Sequence, residues 1–190
     1  MRTFRMKTSL YFCLLGLLIS LQFQQSYAQK LTSGQPQTTF HSHSWQLGAK
    51  AGYGRGDLFS NRNSFQIHAG YFLIKQLAVG LNATWSNEWS DGIGYKDLSA
   101  GPYIRYQFTD TWFSPFIEVS YQIGRRSPHD VARASYSSIS TQATQLNPGL
   151  SIEAIKSLRL DFSYRFDWIY LSNNTQSIGL PQIGITYLLR

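Results

Sequence analysis

The sequence predicts an all-β fold: a closed, eight-stranded, antiparallel up-and-down β-barrel with a polar lumen and an apolar exterior. Two observations predict the strands and their order, and the make-up of the polar face decides which side is outside. Eight segments after residue 43 alternate apolar and polar residues with period two, the pattern of a strand with chemically opposite faces. The connections between them alternate short and long, which puts all tight turns at one end of a meander and all long loops at the other.

The N-terminus stands apart from this pattern. Arg2, Arg5 and Lys7 precede an apolar run over 9–21, and Ser26-Tyr27-Ala28 places small residues at the −3 and −1 positions of a cleavage site. The run is shorter than the roughly 20 residues of a stably inserted helix. Residues 1–28 therefore read as a secretory signal peptide cut after Ala28. Cys13, the sole cysteine, lies inside it, so the mature chain is expected to hold no disulfide, cysteine–metal site or thiol nucleophile. Loss of Arg2, Arg5 and Lys7 leaves fourteen Lys and Arg against ten Asp and Glu, a charge of +4. That charge is dispersed and forms no basic stripe, so, with export expected, no nucleic-acid partner is expected. Residues 29–43 are polar and aperiodic and are expected to form a flexible lead-in to a barrel domain over 44–190.

The strands follow in order. The first runs from Trp45 to Tyr53, with Trp45, Leu47, Ala49, Ala51 and Tyr53 on one face. The second spans Phe65 to Leu73 and the third Leu77 to Trp89, separated by a tight turn at 74–76. The fourth, Leu98 to Phe108, meets the fifth, Phe113 to Ile123, across a turn at 109–112. The sixth is the least distinct and ends with Leu146, Leu150, Ile152 and Ala154. After a turn at 155–157 the seventh, LRLDFSYRFDWIY, sets Leu158 to Tyr170 against Arg159, Asp161, Ser163, Arg165 and Asp167. The eighth carries Ile183, Ile185, Tyr187 and Leu189. Long connections remain at 54–63, 90–97, 125–138 and 172–178. Pro102 and Pro148 interrupt the fourth and sixth strands toward the long-loop end, where bulges are tolerated.

Alternation does not say which face is outside, because a soluble barrel alternates too. The polar face decides. Soluble surfaces are rich in Lys and Glu, whereas this face is mostly Gly, Ser, Thr, Asn and Gln, with Lys50 its one lysine. Its charges nearly cancel. Lys50, Arg105, Arg159 and Arg165 stand against Glu88, Glu118, Glu153, Asp161 and Asp167, as charges withdrawn from water must. Matching faces set Glu153 opposite Arg159 and Arg105 diagonal to Glu118. Trp and Tyr concentrate near the ends of the apolar rows, as in interfacial girdles. The strands approach the 9–11 residues needed to cross a bilayer, and a closed barrel is the β-structure that satisfies its backbone in lipid. The prediction is thus a transmembrane β-barrel, its lumen filled by a paired charge network rather than open as a pore.

The segments GPYIRYQFTDTWFSPFIEVSYQIG and GYFLIKQLAVGLNATW resemble hairpins of the small eight-stranded outer-membrane proteins, the group of the OmpA transmembrane domain, OmpX and the opacity proteins. The resemblance covers 44–190. The last strand, with Tyr187, resembles the group's barrel-assembly signal, although that pattern ends in Phe and this chain in Leu189-Arg190. The resemblance implies a monomeric, multi-pass protein of a bacterial outer membrane, in contact with its lipids and lipopolysaccharide and inserted by the barrel-assembly machinery. The role it implies is structural or surface-interactive, without enzymatic activity. Arg55, Arg62, Arg125, Arg126 and Arg133 are expected in the long loops, where they would meet lipopolysaccharide phosphates.

Alternative chemistry finds little support. Ser127, His129 and Asp130 are the residue types of a lipid A-modifying outer-membrane enzyme, an acyl-transferase or deacylase, but sequence neighbours seldom give triad geometry. His41 and His43 lack acidic or cysteine partners for a metal. Arg55-Gly56-Asp57 spells an adhesive tripeptide, a motif that recurs by chance. No cofactor is expected. A soluble secreted ligand-binding barrel is the remaining alternative.

Overall fold

The structure is a computed structural model, and it describes residues 40–55, 61–90, 93–129, 138–171 and 174–189. Eight strands close into one antiparallel barrel. They are β1 (Trp45–Arg55), β2 (Asn61–Ile74), β3 (Leu77–Ser90), β4 (Ile93–Gln107), β5 (Phe113–His129), β6 (Ile139–Ile155), β7 (Leu158–Leu171) and β8 (Asn174–Leu189). Each pairs with its sequence neighbours, and β1 pairs with β8 from Trp45↔Leu189 to Gly52↔Gln182, so no edge is left open. The residues expected to be signal peptide, and those expected to lead into the barrel up to residue 39, lie outside the described residues.

Polarity is inverted relative to a soluble protein. Leu81, Leu98, Ile104, Ile123 and Ile183 are exposed on the outer wall, whereas Arg105, Glu118, Arg159, Asp161 and Arg165 are fully buried inside it. Side chains alternate between the faces along every strand, as the pleat requires. β2 shows this most regularly: Arg62, Ser64, Gln66 and His68 are buried, and Asn61, Asn63, Phe65 and Ile67 are exposed.

The strands run further toward the long-loop end than the apolar pattern indicates. β2 begins at Asn61, β4 at Ile93 and β8 at Asn174, while β5 continues to His129. In these extensions the outward residues turn polar: Asn61, Asn63, Lys96 and Arg125 face out there. The hydrophobic contrast fades while the hydrogen-bonded ladder continues.

The extensions also correct the position of the two prolines, which sit in mid-strand rather than toward the long loops. Each is paired in full register on one side, as Leu81↔Pro102 and Ile117↔Pro148. On the other side the register skips. It passes from Ala100↔Ile123 to Tyr103↔Ser120 between β4 and β5, and from Leu146↔Phe166 to Gly149↔Ser163 between β6 and β7. A residue without an N–H breaks the ladder locally, and the closed cylinder absorbs both breaks.

The end of the expected flexible lead-in belongs to the barrel. His43 N donates to Phe72 O at 2.8 Å, and Phe72 N to Ser44 O at 2.9 Å. His43 takes a positive φ of 65°, which turns the chain back under the short-turn end. Phe40 is there buried against Phe72, Ala78 and Leu188, with its ring centroid 5.3 Å from that of Phe72 and the Arg159 guanidinium 4.5 Å from its own. Its N–H donates to Asp110 Oδ1 at 2.9 Å. Phe40 thus floors the lumen. Replacing it with Ala should cost about 2 kcal/mol, the worth of one fully buried Phe, read as an earlier denaturant midpoint in micelles.

Candidate functional site

The lumen gathers most of the charged chemistry of the described chain. Inside it, Lys50, Arg62, Arg105, Arg126, Arg159 and Arg165 meet Glu88, Asp97, Glu118, Glu153, Asp161 and Asp167 in ion-pair contact. Among the described residues six cations face six anions, so the charges they bring into the lumen cancel. Neutrality is what allows so many charges to leave water.

The cluster nearer the short turns ties opposite walls together. Lys50 on β1 reaches across to Glu118 on β5, with Nζ 2.8 and 2.7 Å from its two oxygens. Arg105 on β4 donates to Asp161 on β7 at 2.7 Å and stands 3.9 Å from Glu118. Its guanidinium also lies 3.8 Å from the Phe116 ring centroid. Asp161 further accepts from Ser151 Oγ at 2.6 Å and Thr186 Oγ1 at 2.8 Å. Arg159 donates through Nε to Ser151 Oγ at 2.8 Å and approaches Glu153 to 4.0 Å. In register Arg105 is directly opposite Glu118, not diagonal to it, and Glu153 is directly opposite Arg159. The shortest links of Arg105 and Lys50 nonetheless go to other strands, because a filled lumen brings distant strands within one side-chain length.

A second cluster lies nearer the long loops. Arg126 Nη2 is 2.6 Å from Glu88 Oε2, and Arg62 approaches Glu88 to 3.7 Å and Asp97 to 3.5 Å. Gln176 on β8 closes the ring, accepting from Arg126 at 3.0 Å and donating to Glu88 at 3.2 Å. This overturns the loop placement of two residues. Arg62 and Arg126 are strand residues buried in the lumen and are not available to phosphates outside. They and Asp97 are the members of the network that the sequence reading missed. Counting by two from Gln66 to Arg62, or from Gln122 to Arg126, would have found them.

Of the other expected loop arginines, Arg125 is exposed on the outer wall near the long-loop end. Arg55 is the last residue of β1, opposite Asn61. Arg133, Gly56, Asp57 and Asp130 lie outside the described residues. Ser127 and His129 are β5 residues, opposite Lys96 and Gly94. Amide and hydroxyl links fill the space between the charge clusters: Gln122 donates to Asn82 and Thr84, both at 2.9 Å, and accepts from Ser99 at 2.6 Å. His68 comes within 3.3 Å of Thr186 and packs edge-on against Tyr103. Among the described residues no group of three His, Cys, Asp or Glu side chains is placed to hold a metal ion.

A closed wall of eight antiparallel strands is also the architecture of several solved outer-membrane structures. Neisserial surface protein A is 22% identical with a TM-score of 0.61, the match covering 76% of this chain and 95% of that one. The N-terminal barrel of Pseudomonas aeruginosa OprF is 13% identical with a TM-score of 0.55, over 78% and 98%. OprG of the same organism is 11% identical with a TM-score of 0.53, over 80% and 99%. The fold is that of the small eight-stranded outer-membrane β-barrels. No protein-family model matches the chain, and no curated protein does. The barrel is thus OmpA-like in architecture, and its lumen chemistry has to be read from its own residues.

Proposed function

We propose that the chain is an outer-membrane barrel with a structural and surface-interactive role, supporting the envelope and presenting its long-loop end to lipopolysaccharide or external ligands. The inverted polarity carries this reading. An outer belt of exposed Leu, Ile, Val, Phe, Trp and Tyr fits hydrocarbon. The neutral ion-paired lumen, floored by Phe40, is a brace and not a path for solutes. Insertion by the barrel-assembly machinery and a monomeric state are part of the same proposal.

Membrane fractionation with gels run before and after boiling tests it. A compact species that shifts on heating and sediments with the outer membrane is expected. A chain that stays soluble without detergent would overturn it. Among the described residues, Arg125 is an exposed arginine near the long-loop end, where a lipopolysaccharide phosphate would lie. Arg125→Glu should lower lipopolysaccharide retention roughly fivefold, in line with about 1 kcal/mol for an exposed charge contact. Unchanged retention would remove Arg125 from that role.

A further inference from the structure

The outer wall is not a uniform cylinder. Between β2, β3 and β4 it carries an apolar recess of about 510 Å³. Trp45, Tyr71 and Ile104 border it toward the short turns, and Leu81 and Pro102 border it toward the long loops. Its floor is backbone. Gly70 and Gly80 are directly paired, and both inward positions lack a side chain. Behind them lies the ring of Tyr103, fixed by Gln46 Nε2 donating to its hydroxyl at 2.7 Å. A Cβ on Gly70 would collide with that hydroxyl, and one on Gly80 with the Ala69 carbonyl, so the thin wall depends on both glycines. Small or flat residues face outward over it. The row Tyr71↔Val79↔Ile104 lies beside Ala69↔Leu81↔Pro102, and Ala69 and Val79 are the low points.

The rim at the short-turn end is polar. His43 Nδ1 is 2.9 Å from the Tyr71 hydroxyl, and the Trp45 ring packs edge-on against Tyr71. Lys75 is exposed in the β2–β3 turn, four residues from both Tyr71 and Val79. An apolar trough with a cationic, hydrogen-bonding end is complementary to a lipid whose acyl chain is joined through glycerol to a phosphate.

We infer that this recess is a binding site for one phosphoglycerolipid of the leaflet at the short-turn end, its acyl chain over Ala69, Gly70 and Gly80 and its phosphate at Lys75 and the His43–Tyr71 pair. The inference rests on the membrane reading above. Lipopolysaccharide, which shares the acyl chemistry, belongs to the leaflet at the long-loop end and would have to bind the recess from the wrong side.

Native mass spectrometry of the full chain in mild detergent, with phosphatidylglycerol added, tests the site. The wild type should retain one lipid. Ala69→Trp fills the trough and should lower the lipid-bound fraction about tenfold, equivalent to losing contact with roughly two methylenes. Val79→Phe is the milder filling and should lower it in the same direction, whereas Ala51→Trp, exposed on β1 away from the recess, should leave it unchanged. Lys75→Gln should weaken retention about threefold, the share of one exposed charge. Equal retention by wild type, Ala69→Trp and Val79→Phe overturns the site, as does an equal fall in Ala51→Trp. Unchanged retention in Lys75→Gln overturns the phosphate placement, and preferential retention of lipopolysaccharide overturns the choice of lipid. Heat-modifiable migration of the same samples reports the membrane reading separately.

Discussion

Glu118→Ala is expected to cost about 3–5 kcal/mol of barrel stability, the typical penalty for removing one partner of a buried ion pair. The size follows from what is left behind. Lys50 is fully buried, and both oxygens of Glu118 lie within hydrogen-bond distance of its ammonium. Its cationic neighbour Arg105 keeps Asp161 at 2.7 Å, so the damage falls on Lys50 and on Asn147, which donates to Glu118 at 3.2 Å. The penalty belongs to the orphaned charge and not to the pair itself. The double variant Lys50→Met, Glu118→Met should therefore recover most of the loss, because an apolar pair of similar length leaves no charge unpaired. Urea unfolding in micelles reads both. A single variant as stable as the wild type would mean that water already reaches Lys50, and the sealed lumen would be wrong.

How much of this was legible in the sequence depends on depth in the membrane. Where the wall faces lipid, every second residue must be apolar, so Leu158 to Tyr170 announces its strand, its two faces and even the inward row of Arg159, Asp161, Arg165 and Asp167. Beyond the lipid that constraint lapses. Asn61-Arg62-Asn63, Tyr95-Lys96-Asp97 and Arg125-Arg126 are polar on both faces, so the continuing ladder leaves no hydrophobic trace and Arg62 and Arg126 read as loop charges. Adjacent-strand neighbours such as Glu153 and Arg159 follow from the turn between them. The cross-barrel links Lys50–Glu118 and Arg105–Asp161 do not, because they depend on how the cylinder closes. Phe40 escapes for another reason: a single aromatic in a polar stretch has no periodicity to mark it as the floor.

Depth also sets the second large effect. Phe162→Arg should destabilise the inserted barrel by about 2–4 kcal/mol, whereas Tyr170→Arg should cost only about 0–1 kcal/mol. Both residues point outward from β7 and are similarly exposed. They differ in what surrounds them. Phe162 lies between Leu150 and Ile183 in the ladder, with Leu160 and Tyr164 above and below on its own face. Tyr170 lies between Gln142 and Thr175, at the level where the outer wall has turned polar. An arginine at Phe162 must drag its guanidinium through hydrocarbon to reach the interface, and one at Tyr170 is already there. Ser163→Cys, one residue along and inward, changes neither surface and should fold yet resist a membrane-impermeant thiol reagent. Equilibrium unfolding from phospholipid vesicles separates the two arginine variants. If they cost the same, the row from Leu158 to Tyr170 does not cross a membrane. If the Ser163→Cys variant labels freely, the face carrying Arg159, Asp161 and Arg165 is a water-filled passage and the bracing role falls.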